Sequence, residues 1–306
     1  LWAADAEAGP PIDAHAELTE QARRAPPQLA AILRIVRERL DVQDSAAGLI
    51  GRSLGPIIGR LTEALRAMLT PFGGETVADT AARMRLDADT VGALLRAAGL
   101  DELIDATADA QVKLADLTEQ AQVAGGIKPP LPASLVASAT AAAAAMAAAF
   151  WTDVVERPLS VGVMSGLKTA VGGVSAATTM RRIDESLRQR VPSLESAGRT
   201  AIAEYDRQVT GASAARAGVG LFAYLGPVDR ITRPFCATLA DAVYSADQIG
   251  KMDNAQTTTS PLISGGGYNC RHQFAPISAT LAEAVGIRMG LDSDVRLANR
   301  RARARR

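Results

Sequence analysis

One stretch, Arg216 to Ser278, constrains this chain more than any other, because it joins strand-period alternation to strong turn signals and holds both cysteines. Val219, Leu221, Ala223 and Leu225 alternate with Gly220, Phe222 and Tyr224, which predicts a strand with one set on each side, ended by Gly226-Pro227. Asp229 suits a turn or helix start, since its short carboxylate can accept bonds from free backbone N–H groups two or three residues on. Pro234 then fits the first turn of a helix with Phe235, Cys236, Leu239, Ala240 and Val243 on its inner face, finished by Gly250. A polar loop over Asp253 to Ser260 and the run Gly265-Gly266-Gly267 reverse the chain into a second short strand, Arg271 to Ile277, stopped by Pro276. Two strands around a helix predict a small α+β unit that brings Cys236 near Cys270.

The other residues read as helix. Hydrophobic residues make up 48% of the 306 and aromatics only 4%, so the core should be thin and closely approached. Charges balance at 33 basic and 33 acidic, which removes any global field for nucleic acid or acidic membrane and leaves only local patches for such partners. Two cysteines without a secretory signal at Leu1 fit a reducing cytosol.

Taken in order, residues 1–25 read as an extended arm with one helix near His15 to Arg24, and 26–124 as a helical domain. Leu29, Ile32, Leu33, Val36 and Leu40 share a helix face; Ile50, Leu54, Ile57, Leu61, Leu65 and Met68 share the next, with a kink or break expected at Pro56. Residues 81–91 have the flavour of a helix-turn-helix or a plain helical hairpin, and Asp101 starts a further helix. Residues 125–132, with Gly125-Gly126 and Pro129-Pro130, read as a linker before a region over 133–278. The charge-free run Pro129 to Thr152 is long enough for a bilayer, but alanine gains little from lipid. A buried helix packed through small side chains is therefore expected there, with a membrane-active ejection segment as the competing reading and no membrane contact expected otherwise. Helices over Ala176 to Gln189 and Pro192 to Thr210 follow, and 279–306 reads as a helix from Ala279 to Gly286 and a basic tail. Arg296, Arg300, Arg301, Arg303, Arg305 and Arg306 in that tail form a sequence-blind phosphate binder or a contact for an acidic partner surface.

The motifs over 199–278 resemble the C-terminal region of the phage Mu F-type head morphogenesis proteins, the minor capsid proteins encoded beside the portal gene in many tailed phages. The matching positions are Arg199-Thr200 on a helix, then Asp229, Thr232, Arg233 and Cys236, and finally Asn269, Cys270, Arg271 and His272. Where that family often has His-Pro before the Asn, this chain has Gly267-Tyr268, which removes one metal ligand. The resemblance implies a virion protein, assembled in a bacterial cytoplasm and bound in several copies to the portal or inner capsid surface, with portal and major capsid proteins and packaged DNA as partners. It further implies that Arg199 braces the C-terminal unit by pairing with a carboxylate such as Asp229.

The chemistry stays open at this level. Cys236, Cys270 and His272 are zinc-type ligands, but structural zinc closes with four, so a carboxylate such as Asp229 or Asp253 has to complete the set. A reduced pair packed as small hydrophobes and a disulfide are the alternatives, and the expectation is no cofactor. Cys236 with His272 as nucleophile and base lacks an orienting partner, and no Lys-Ser or Lys-Thr follows Gly267, so no enzyme is expected. The fold expected is mainly α: a multi-helix N-terminal region with a small α+β C-terminal unit of two or three strands. The expected role is head assembly, genome packaging or ejection, with a soluble DNA-binding protein using 81–91 and the Arg tail as the alternative.

Overall fold

The alternation after Arg216 forms β1 (Leu221–Leu225), and both of its faces are buried. A computed structural model describes residues 13–69, 77–127, 133–168 and 175–304. They divide into two compact units interleaved in sequence, where the sequence reading lays its segments end to end. The first is Leu1–Asp44, Gln111–Ala143 and Ile202–Arg306; the second is Ser45–Ala110 and Ala144–Ala201. The protein is mainly helical with a small mixed sheet near its C-terminus, as the residue pattern implies.

In the first unit, β1 is paired antiparallel with β2 (Ala242–Ser245) and with β3 (Gln273–Pro276), and β4 (Arg288–Met289) runs parallel to β2, in the order β3-β1-β2-β4. Pro276 is tolerated because β3 is an edge strand. Ala223 and Leu225 pack with Val243, Ala275 and Ile277 against Leu18 of α1 (Ala14–Arg24) and Ile32, Leu33, Val36 and Leu40 of α2 (Pro27–Met68). The arm helix is thus a core element, and His15 lies between Asp41 and Asp44 at 2.9 and 3.2 Å. The opposite face, Phe222, Tyr224, Tyr244 and Phe274, packs on α10 (Pro234–Leu239) and on α14 (Asp292–Arg303) through Val295 and Ala298.

Two expectations change here. The helix opened by Pro234 stops at Leu239, and Ala240 and Val243 lie outside it. Asp241 turns the chain at φ 59° while its N–H donates to the Tyr224 carbonyl at 2.9 Å, and Val243-Tyr244 gain more opposite Ala223 and Phe222 than in a continued helix. α11 (Ala246–Gly250) follows, with a capping box between Ser245 and Gln248. The Arg-rich end is also no loose tail. After α13 (Ala279–Ala284) it forms α14, where Arg303 pairs with Asp253 at 2.9 Å and Arg301 donates to the Thr238 hydroxyl at 2.9 Å. Arg296 and Arg300 are exposed, and Arg305 and Arg306 lie outside the described residues.

The linker expected over 125–132 is docked in its first part: Gly125 accepts from the Ser278 N–H at 2.8 Å, and a side chain on Gly125 would meet the Pro276 carbonyl. Residues 128–132 lie outside the described residues. α6 (Ala133–Phe150) is the Ala-rich helix; its described side chains are exposed or half-buried, and the side chains at 133–136, 139, 143, 146 and 147, on which the expected burial turns, lie outside the described residues. Among the described residues no helix is long and apolar enough to cross a membrane.

Among its described residues the second unit consists of helices and turns. Of the kink or break expected at Pro56, the break does not occur: α2 continues through it as one helix, and Ile50, Leu54, Ile57, Leu61 and Leu65 are all buried on one side of it. That continuous apolar stripe outweighs the single backbone bond that proline removes. α3 (Val77–Arg83) and α4 (Ala88–Leu95) are joined by a tight turn over the 81–91 stretch; Arg85 takes its left-handed position at φ 54°, and the Asp87 side chain caps α4. α7 (Arg157–Lys168) packs on α4 and on α8 (Ala176–Arg188), whose Met180, Ile183 and Leu187 are buried as their spacing implies.

Within the first unit, α5 (Asp101–Ala124), α2 and α9 (Val191–Arg216) are joined by a buried charge network. Arg39 donates to Asp206 at 2.8 Å, to Thr210 at 2.6 Å and to Thr118 at 3.0 Å, and Gln43 donates to the other Asp206 oxygen at 2.9 Å. Burial pushes the Asp206 carboxyl up, against the pull of Arg39 and Arg207. Removing one partner strands the other charge. Arg39→Met should therefore cost about 3–5 kcal/mol, and adding Asp206→Leu should return most of it. Denaturant midpoints of the single and double variants check this, and equal midpoints would refute it.

Candidate functional site

The sequence brings Cys236 and Cys270 together by an ordinary device: Pro234 starts α10 and puts Cys236 on its inner face, while the backbone reversal at Gly265 to Asn269 returns Cys270 to the same core. Asn269 stands at φ 55°, a conformation that asparagine adopts more readily than other non-glycine residues, and the Cys270 N–H closes the turn on the Gly267 carbonyl at 3.2 Å. The two sulfurs lie 3.8 Å apart. The ligand atoms of Cys236, Cys270 and His272 are all within 4.8 Å of one another, and all three residues are buried.

Tyr224 completes the cluster from the centre of the sheet. Its hydroxyl lies 3.4 Å from the Cys236 sulfur and 3.7 Å from that of Cys270, and its ring stacks on His272 at a centroid distance of 5.2 Å. The Gly266 N–H donates to the Cys270 sulfur at 3.0 Å. The contact with Cys270 pushes the Cys236 thiol up, with burial adding to the effect. The same contact draws Cys270 well down, against burial and with help from His272 and the Arg207 charge. Burial, then the two neighbouring sulfurs, hold the Tyr224 phenol up.

Arg207 frames this cluster and carries no sequence motif. From α9 its guanidinium donates to the carbonyls of His272 at 3.1 Å, Ile263 at 3.2 Å and Cys270 at 2.5 Å, so one buried cation holds the segment bearing two of the three ligands. Asn254 ties down the loop before α12 (Pro261–Ser264): it donates to Ser264 at 2.9 Å and to the Gly265 carbonyl at 3.0 Å, and accepts from the Gln256 N–H at 2.9 Å.

Asp229, Thr232 and Arg271 form a second knot. Arg271 clasps both oxygens of Asp229 at 2.6 and 2.7 Å, and the Thr232 hydroxyl lies 2.8 Å from the same carboxylate. Arg233 donates to the Tyr268 carbonyl. The pairing expected between Arg199 and Asp229 is corrected: the partner of Asp229 is Arg271, and Thr200 bonds back to the Ser196 carbonyl. Arg207, about two turns further along α9, does the bracing, and it acts on carbonyls, which no charge pattern in the sequence marks. The carboxylate expected to complete a zinc set is also corrected, since Asp229 is engaged by Arg271 and Asp253 by Arg303. Tyr224 was placed on the correct face by its alternation but not as a site residue.

Compared with known proteins, the chain matches no protein-family model, no curated protein and no solved structure.

Burial raises the Asp229 carboxyl, but Arg271, Thr232 and the Ile231 N–H outweigh it and hold the group below the usual carboxylate range. A lowered acid stabilises the fold above its unfolded value, about pH 4, and loses that contribution as pH falls through the folded value. Asp229→Asn should therefore cost roughly 3 kcal/mol at pH 7, with the gap to the parent protein narrowing below about pH 4. Unfolding curves of both proteins from pH 7 to pH 3 test it; a gap that is absent at pH 7 or constant with pH would show that the ion pair contributes nothing.

Proposed function

We propose that this chain is a minor capsid or head morphogenesis protein of a tailed phage or phage-derived particle, held at the portal or inner capsid surface in several copies. One observation supports the reading above others. Residues that resemble the Mu F-type pattern, Asp229, Thr232, Cys236, Asn269, Cys270, Arg271 and His272, are spread along the chain yet meet in two adjoining knots of one sheet-based unit. Such a motif serves the architecture of a module: its charged and sulfur groups satisfy one another inside the protein. A module of that kind is what a particle component needs, because its role is to hold a shape under load. Packaged DNA enters as an accessory partner through the exposed Arg296 and Arg300 on α14. The helix–turn–helix stretch at 81–91 favours DNA less, since the first turn of α4 carries Asp89 and is capped by Asp87.

Quantitative mass spectrometry of purified particles tests the proposal. A fixed small number of copies per portal ring is expected, with portal and major capsid proteins in the same particles. Absence of the chain from particles that are otherwise complete would overturn it.

A further inference from the structure

We propose that Cys236, Cys270, His272 and Tyr224 are the four corners of a zinc site at the centre of the C-terminal unit. Zinc bound to thiolates at about 2.3 Å and to imidazole at about 2.0 Å in a tetrahedron sets its ligand atoms about 3.5–3.8 Å apart. The two sulfurs and the Tyr224 oxygen form a triangle with sides of 3.4, 3.7 and 3.8 Å, which matches one face of that tetrahedron. His272 supplies the remaining corner. A ring nitrogen of His272 lies within 4.8 Å of both sulfurs, at the outside a little more than about 1 Å beyond the separation of bonded ligands.

Three further observations point to a ligand. His272 is 2% exposed, and its Nε2 is buried without a hydrogen-bond partner, a costly state for a polar atom. Tyr224 is fully buried, and among the described residues its hydroxyl has only the two sulfurs, which are weak acceptors, as partners. The walls are backbone: a side chain on Gly266 would fall 2.2 Å from the Cys236 sulfur, and one on Gly226 would fall 2.7 Å from the His272 ring. Glycine thus lets the chain close over the cluster. The Gly266 N–H on the Cys270 sulfur and the Arg207 guanidinium, which fixes the carbonyls of Cys270 and His272, are the outer contacts that orient metal ligands and stabilise a thiolate. Binding displaces the thiol protons to solvent, and two thiolates then neutralise the charge of Zn²⁺. The site is closed, so its role is structural: it fixes α10, β1 and the turn before β3 to one another.

The test uses the full chain, purified under reducing conditions without chelator, and does not depend on the capsid proposal. One zinc per chain is expected by elemental analysis. The metal-free protein titrated with Co²⁺ should show thiolate charge-transfer absorption and the strong visible bands of a tetrahedral site. Cys270→Ser and His272→Ala should abolish both. Tyr224→Phe keeps the ring, so its fold is retained; it should weaken zinc binding at least tenfold and shift the visible Co²⁺ bands. Zinc should also slow alkylation of the two thiols in the unaltered protein. A chain without zinc, without Co²⁺ charge-transfer bands and with thiols alkylated at the same rate in added zinc would overturn the site. Unchanged affinity and spectrum in Tyr224→Phe would overturn the assignment of its fourth corner.

Discussion

Asp206 and Arg207, adjacent on α9 and both buried, hold the first unit together from two directions. Asp206 takes its bonds from Arg39 and Gln43 on α2, while Arg207 gives its own to three carbonyls in the segment that carries Cys270 and His272. A buried guanidinium is tolerated only where its donors are satisfied, and backbone carbonyls outside regular structure are as costly to leave unpaired. Each requirement answers the other. The irregular turn from Gly265 to Cys270 can be buried because Arg207 is there, and Arg207 can be buried because that turn presents its carbonyls.

The same economy governs the sulfur cluster. Two thiols, an imidazole and a phenol are poor company for one another in an apolar core, since none is a full match for its neighbours. Their convergence is maintained by the sheet register that sets Tyr224 beside Phe274, by α10, and by glycines whose missing side chains leave the space. A cation at the centre would convert this tension into bonds. The Asp229–Arg271 knot needs no such partner, because its bidentate geometry and the Thr232 hydroxyl already satisfy it.

Periodicity was legible where one kind of packing dominated. The alternation of β1 named both faces correctly because each face meets its own core, and the stripes on α2 and α8 named their buried residues for the same reason. β2 was read as helix: four residues after a helical run carry too little pattern, and only pairing with β1 decides them. The run at α6 was legible as a helix because alanine has the highest intrinsic helix propensity. The C-terminal arginines looked like a solvated tail until Val295 and Ala298, two small apolar residues among charges, proved to be its buried edge.

By itself, then, the sequence determined the helical class, the central strand with its two sides, the turns at Asp229 and at Gly265 to Asn269, and the approach of Cys236 to Cys270. These rest on local rules: side-chain period, proline and glycine geometry, and short-range caps. Only the tertiary structure decided that Arg207 braces the unit, that Arg271 takes Asp229, and that Tyr224 joins the cysteines and His272. Those choices depend on distances between residues far apart in the chain, and the positions of the surrounding helices and strands set them.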